Sequence, residues 1–352
     1  MARQNAGLIA VRVKPAEPTC IAATAAGSPD GEMSSLPEIV FSRGSALICV
    51  RHADGRTEEL KSRYSDGNFS RDGQEAAYWL PEKGELHVVS IATGSDELVE
   101  AIPGGKLQAM SWSGNGRKLA YSVNGATPEG IRVIDVDSGK RTISGVKFTG
   151  GSAALDPEYL LAPGIDGIHR IRLSDGHDDL VAAMPYAIRA GYSQSGNLLG
   201  ILTVAPGEDE PPVADDDTPD CRGGSFALMV NEKRMGRMQQ IPFPAGFNSV
   251  LDYEFSADDQ AVAVTFGADS CDYPGDSARV YMVALATMRL TPVSPTERLS
   301  VQAHWSPNGK IIVYQDYTGS DSPLMAFELA TGKIIRLTNP GQMGPDSFLG
   351  WR

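Results

Sequence analysis

Apolar and polar positions alternate with a period of two over short runs along most of this 352-residue chain. Ile131-Arg132-Val133-Ile134-Asp135-Val136 is one such run, and Lys333-Ile334-Ile335-Arg336-Leu337-Thr338 is a more polar one. Successive side chains of a strand point to opposite faces, so the pattern predicts β-strands. Denser apolar runs intervene: Lys118-Leu119-Ala120-Tyr121, Ala261-Val262-Ala263-Val264 and Ile311-Ile312-Val313-Tyr314. Each dense run follows an aromatic-Ser pair and a tight turn. Trp112-Ser113-Gly114-Asn115-Gly116 and Trp305-Ser306-Pro307-Asn308-Gly309 are the clearest copies. Phe69-Ser70-Arg71-Asp72-Gly73, Tyr192-Ser193-Gln194-Ser195-Gly196 and Phe255-Ser256-Ala257-Asp258-Asp259 follow the same plan, and Leu155-Asp156-Pro157 is a worn copy. Asn-Gly and Asp-Gly suit hairpins because both central residues tolerate positive φ.

A second turn recurs further on, at Thr93-Gly94, Ser138-Gly139, Asp175-Gly176 and Thr331-Gly332. An alternating strand precedes each of these turns and a short polar strand follows it, which makes four antiparallel strands per unit. The units start at Phe69, Trp112, Leu155, Tyr192, Phe255 and Trp305, in steps of 43, 43, 37, 63 and 50 residues. A four-stranded unit repeated at this length predicts the blade of an all-β propeller. The strand signature, with 38 Gly and 23 Pro, excludes a solenoid of helices. From starting residue to second-turn Gly the count is 25, 27 and 27 in the units of Phe69, Trp112 and Trp305, but 44 from Tyr192 to Gly236. The excess therefore falls mostly between second and third strands.

A ring of blades must hide its last edge, because unpaired strands invite aggregation. Glu38-Ile39-Val40-Phe41, Ala46-Leu47-Ile48-Cys49-Val50 and Thr57-Glu58-Glu59-Leu60 read as three strands near the start, and Ser347-Phe348-Leu349-Gly350-Trp351 as one at the end. Together they predict a seventh blade closed by N- and C-terminal strands; six blades with an N-terminal cap is the alternative. Residues 1–37 are then an N-terminal extension, and 38–352 a single β-propeller domain.

The aromatic-Ser-x-Asp/Asn-Gly-x-x-x-Ala/Val-Tyr pattern resembles the WD40-like (PD40) repeats of the TolB-type propeller family, over roughly residues 38–352. The Leu155 copy lacks the turn Asn/Gly, and the Phe255 copy carries Asp259 where Gly is usual. The resemblance implies the propeller fold. For function it implies a range: periplasmic scaffolds, propeller domains beside peptidases, and a few polysaccharide lyases. The resemblance and the placement of the cysteines imply a periplasmic or secreted location, with a cytoplasmic one as the alternative, and fold alone does not fix activity.

A net charge of −13 argues against nucleic acid or an anionic membrane as the main partner. No apolar run reaches the length of a membrane span. Residues 1–37 show no cationic start followed by an apolar core, so they do not read as a secretory leader. Of the four cysteines, Cys221 and Cys271 lie in the inter-strand insertions of neighbouring blades. A disulfide between them would suit an oxidising compartment; four free thiols are the other reading. Cys20 and Cys49 are a weaker pair.

Catalytic signatures are nearly absent. Gly191-Tyr192-Ser193-Gln194-Ser195-Gly196 comes near a nucleophile elbow, but its register as a blade turn accounts for it. No phosphate loop appears. His87 and His169 each precede their second-turn Gly by seven residues, so they occupy one place in two different blades, too far apart for a shared metal. His304 precedes Trp305 on a predicted innermost strand and is placed to face the channel. The candidate site is instead a rim. The strand 2–3 connections Pro206–Gly224, Gly267–Ala278, Tyr317–Pro323 and Asn124–Gly130 all emerge on one face, where binding residues usually sit. Asp215, Asp216, Asp217, Asp220, Asp272, Asp276 and Asp321 supply negative charge, and Tyr273 and Tyr317 are candidate aromatic anchors. Carboxylates also suit calcium, but no loop has the ligand spacing of an EF-hand, so no cofactor is assigned.

The expected function is a non-catalytic protein-interaction scaffold that binds a partner with a basic surface through this rim. One alternative is a structural subunit whose arm, residues 1–37, adds Gly7-Leu8-Ile9-Ala10-Val11 to a neighbour's sheet. The other is a carbohydrate lyase or hydrolase at the channel mouth, which requires His and carboxylates converging from different blades.

Overall fold

The computed structural model describes residues 38–351 apart from 44–46, 52–55, 63–64, 71–73, 91–92, 94, 114–115, 149–152, 165, 205–224, 233–236, 269–276, 296–298, 318–321 and 339–345. Residues 1–37, and so the proposed arm and Cys20, lie outside this description. The described strands form seven antiparallel sheets of four, and each sheet is one blade. From the inside out, blade 1 is Ser65–Phe69, Glu75–Leu80, Glu85–Ser90 and Asp96–Ala101. Blade 2 is Lys106–Trp112, Lys118–Asn124, Arg132–Asp135 and Arg141–Ile143. Blade 3 is Ala154–Leu155, Tyr159–Pro163, Ile168–Arg172 and Asp178–Ala182. Blade 4 is Ala187–Tyr192, Leu198–Val204, Phe226–Glu232 and Arg237–Gln240. Blade 5 is Ser249–Phe255, Ala261–Gly267, Ala278–Ala284 and Arg289–Pro292. Blade 6 is Leu299–Trp305, Ile311–Tyr317, Leu324–Glu328 and Ile334–Arg336.

Blade 7 is the clasp. Its innermost strand, Asp346–Trp351, pairs antiparallel with Ile39–Arg43, setting Ile39 opposite Trp351 and Phe41 opposite Phe348. Leu47–Arg51 and Thr57–Ser62 complete the sheet. The C-terminal strand also touches the first strand of blade 1 and strands of blade 6, so the ring closes. Seven blades, not six with a cap, is the arrangement found. With the two chain ends hydrogen-bonded to each other, an edge that would otherwise be open is paired.

The core is not central but divided into layers between neighbouring blades. One layer sets Trp79 and Leu86 of blade 1 against Trp112, Leu119 and Tyr121 of blade 2. Others join blade 4 to blade 5, blade 5 to blade 6, and blade 6 to Ile39 and Phe41 of the clasp. A second strand therefore meets apolar neighbours on both faces. This is why Leu198–Val204 and Ala261–Gly267 are buried along their whole length, and why the dense apolar runs of the sequence carry no alternation.

The aromatic-Ser signature has a physical cause. The buried Ser306 hydroxyl accepts the backbone N–H of Ile311 at 2.9 Å, while the Ser306 N–H donates to the Ile311 carbonyl at 2.8 Å. The same pair of bonds closes the first hairpin at Ser70, Ser113, Ser193 and Ser256. The hydroxyl satisfies a strand-end N–H that no ladder partner reaches. The preceding Trp ties blades together: Trp112 Nε1 donates to the Asn68 carbonyl and Trp305 Nε1 to the Glu254 carbonyl, each at 3.0 Å. Asp259 takes a φ of 60° where other copies have Gly, and Met288 takes 53° at the second turn of blade 5.

Candidate functional site

The stems of the predicted rim are well placed. Val204 pairs with Phe226, Gly267 with Ala278, and Gln315 with Leu324, so the strand 2–3 connections of blades 4, 5 and 6 leave from the same edge of three successive blades. Asp215, Asp216, Asp217, Asp220, Cys221, Cys271, Asp272, Tyr273, Asp276 and Asp321 lie outside the described residues. Tyr317 is half-buried at the end of its strand.

On the innermost strands of the same three blades the fold assembles a group that sequence reading saw only in part. Arg189 of blade 4 donates from Nη1 to Oδ1 of Asp252 in blade 5 at 2.9 Å, and its guanidinium lies 5.5 Å from the centre of the Tyr253 ring. Two residues on, Glu254 accepts from His304 of blade 6, with Oε2 2.8 Å from Nδ1. Glu254 Oε1 also lies 3.3 Å from the backbone N–H of Trp305. The side chains of His304 and Glu254 remain 32% and 37% exposed, so the pair meets solvent inside the ring.

Burial opposes charge on the His304 imidazole, but the hydrogen bond and charge of Glu254, with the charge of Asp252, outweigh it and raise its pKa above the ordinary 6.5. The imidazole thus keeps its proton nearer neutral pH, as a donor held by a carboxylate does. Tyr253 anchors the group from behind. Its hydroxyl donates to the Gly200 carbonyl at 2.8 Å, and burial pushes its pKa up. His304 was identifiable from its place before Trp305. Arg189 and Asp252, 63 residues apart, carry no shared sequence signal.

His87 and His169 each sit between two carboxylates of their own blade. His87 is 3.0 Å from Asp96 and 3.2 Å from Glu85, and His169 is 2.9 Å from Asp178 and 2.7 Å from Asp166. Tyr78 completes the first group by donating to Asp96 at 2.6 Å and stacking on His87. In the blade between them, Arg132 stands at the corresponding position and pairs with Glu100 at 3.2 Å. One register position thus carries a basic side chain in three successive blades: each histidine meets a fourth-strand carboxylate of its own blade, and Arg132 meets Glu100 on the fourth strand of blade 1. Among the described residues no cluster of three or more His, Cys, Asp or Glu is arranged to hold a metal.

No family model and no curated protein matches the sequence. Solved structures match its shape. The propeller domain of the trilobed protease from Pyrococcus furiosus superposes with a TM-score of 0.59 at 13% identity, covering 88% of this chain and 98% of that one. A prolyl endopeptidase structure gives 0.57 at 14% identity over 85% of this chain and 49% of that one. TolB from Acinetobacter baumannii gives 0.50 at 14% identity, over 90% of this chain and 83% of its own. No helix among the described residues is long and apolar enough to cross a membrane. At these identities the likeness speaks for fold alone: the chain shares the β-propeller fold of these structures.

Proposed function

We propose that this propeller is a non-catalytic scaffold that binds a protein partner through the rim of blades 4 to 6. The observation that carries the reading is the common exit of three strand 2–3 connections from adjacent blades, on a rigid ring. In sequence these connections hold Asp215, Asp216, Asp217, Asp220, Asp272, Asp276 and Asp321, with Tyr273 and Tyr317 among them. Such a surface suits a partner with a basic face, with an association rate that falls as salt rises. Residence in the periplasm or outside the cell belongs to this reading, and a Cys221–Cys271 bond would hold two of the loops together there. The test is capture of partners from the native source by wild type beside a form with Pro206–Gly224 shortened. A partner held only by wild type, in a salt-dependent way, supports the rim; equal capture by both forms refutes it.

A second reading, chemistry at the channel, is favoured by the Glu254–His304 and Arg189–Asp252 pairs on three adjacent innermost strands. A proton-bearing imidazole beside carboxylates is a recognisable acid–base arrangement. Screening wild type against Glu254→Gln and His304→Asn on glycan and peptide substrates decides it. Turnover by wild type that both variants lose supports this reading over the scaffold, and its absence across the panel removes the support.

A further inference from the structure

Blade 5 departs from the repeat at both of its tight turns, and the two departures meet at one cavity. In the first hairpin Gly116, Gly196 and Gly309 of blades 2, 4 and 6 take φ of 69°, 71° and 66°, and Asp259 takes 60° at the same place. At the second turn Gly139, Gly176 and Gly332 take 66°, 73° and 70°, and Met288 takes 53°. A left-handed backbone favours glycine, so blade 5 carries two side chains where the repeat has none. Asp259 and Met288 both line a cavity of about 380 Å³ between blades 4 and 5. Asn197, Asp258 and Leu285 line it too, which places it among the strand 1–2 and 3–4 turns, on the edge opposite the strand 2–3 rim.

The charge of the cavity is one-sided. Asp258, Asp259 and Glu232 supply carboxylates, and no lining residue is basic. Glu232 stands across the ladder from Arg237, so the unmatched charge is that of the two aspartates. Asp258 Oδ1 accepts from the Ser256 hydroxyl at 2.7 Å and from the Gln260 N–H at 3.1 Å. Those bonds lower its pKa with no basic group contributing, and the carboxylate stays ionised at neutral pH. Asp259 Oδ2 accepts from the Ser195 hydroxyl and, at 3.3 Å, from the Asn197 amide, which fixes the carboxylate against blade 4. Its Oδ1 is buried and receives no hydrogen bond. A buried carboxylate oxygen without a donor is costly, and the protein offers this one none. Apolar side chains complete the wall: Leu198 and Val230 from blade 4, Leu285 and Met288 from blade 5.

We propose that this cavity binds a small organic cation, an alkyl chain ending in an ammonium or guanidinium group. Such a group brings both the positive charge and the N–H donors that the aspartates lack. The methylenes of the chain bury against the apolar wall. The volume lies toward the lower end of the range for ligand sites, roughly 300–1,000 Å³, which suits one chain of this kind. A bare divalent ion would need oxygen ligands on every side, and the apolar wall withholds them. The same chemistry is carried by a free amine and by a lysine or arginine side chain of a partner. The cavity lies on the edge away from the acidic rim, so its test is independent of the scaffold reading.

The experiment uses the full chain at low salt and neutral pH, with binding followed by ligand-observed NMR titration. The probes are pentylamine, its neutral counterpart pentanol, and lysine capped as N-acetyl-lysine methylamide. Wild type is compared with Asp259→Asn, which keeps the shape and tolerates the left-handed backbone, and with Asp258→Asn/Asp259→Asn. Thermal melts verify that both variants fold. The expected result is saturable binding of pentylamine that weakens at least about tenfold in Asp259→Asn, as the loss of one charge-assisted hydrogen bond gives, and further in the double variant. Binding of pentylamine alone supports a free amine as the occupant, and binding of capped lysine as well supports a partner's side chain. No pentylamine binding by wild type, equal binding by wild type and Asp259→Asn, or equal binding of pentanol each overturns the proposal. Complete displacement of pentylamine by calcium at equal ionic strength also overturns it, by making the cavity an inorganic cation site. If the double variant fails to fold, Asp259→Asn alone carries the comparison.

Discussion

Replacing Gly200 by Ala should destabilise the propeller, and the same replacement should become neutral or stabilising once Tyr253 is made Leu. Gly200 sits inside the second strand of blade 4, where Ala would ordinarily be preferred to Gly by about 0.5–1 kcal/mol. Here a Cβ would fall 2.5 Å from Tyr253 Cε2, 2.9 Å from Cζ and 3.0 Å from the hydroxyl oxygen. Carbon atoms pack at about 3.5–4.0 Å, so the ring must retreat by about 1 Å. It is not free to do so. Phe255 meets it edge-on with centroids 5.7 Å apart, Arg189 covers it, and its hydroxyl is bonded to the Gly200 carbonyl. Overpacking of this kind costs about 1–3 kcal/mol, and stretching the hydroxyl bond adds about 0.5–1.5 kcal/mol. Net of the backbone gain, the loss in Gly200→Ala should be roughly 1–3 kcal/mol. Urea unfolding of the two single variants and the double variant gives the coupling directly. A loss from Gly200→Ala that is unchanged in the Tyr253→Leu background would show that the ring does not set the requirement for Gly.

Three further outcomes follow from the same geometry. Ser306→Ala leaves the buried Ile311 N–H without its side-chain acceptor and should cost about 1–3 kcal/mol in urea unfolding, whereas Ser306→Thr should recover part of the loss. Trp305→Phe keeps most of the apolar contact but removes the bond to the Glu254 carbonyl, so a loss of about 0.5–1.5 kcal/mol above that of the changed ring is expected from a comparison with Trp79→Phe. The His304 contribution depends on pH: its folded pKa lies above 6.5, so the stabilisation is full below that value and is lost as pH rises through the folded pKa. Wild type should therefore lose more stability than Glu254→Gln between mildly acidic and mildly alkaline pH, and equal slopes would refute the pairing.

The ring was legible in the sequence because its stabilising groups recur in register. Aromatic, Ser and turn residues return at similar spacing, and each does the same local work, so a single chain displays the pattern several times over. The clasp was legible for a related reason: three strands at one end and one at the other make up one blade. The polar group of Arg189, Asp252, Glu254 and His304 was not, apart from His304. Its members meet only because consecutive innermost strands lie side by side, and nothing in strand periodicity reports which residue of one blade faces which residue of the next. Leu155 looks like a degraded copy in sequence; in the ring it is buried in the layer between blades 2 and 3.

This difference suggests how the molecule divides its tasks. Residues that obey the repeat hold blades together: the Ser hydroxyls close hairpins and the Trp indoles bind the preceding blade. Residues that break it include those of the long connections of blades 4 to 6 and Leu155, on the short innermost strand of blade 3. A closed ring tolerates such departures because each inter-blade layer is a separate small core, and a loss at one contact leaves the others filled. Blades 2 and 3 keep a layer built on Ile131, Leu155 and Leu160, although Leu155 departs from the repeat. Leu155 is buried in that layer, so Leu155→Trp should overpack it and cost about 1–3 kcal/mol in urea unfolding, and a gain in stability would show space left beside Leu155.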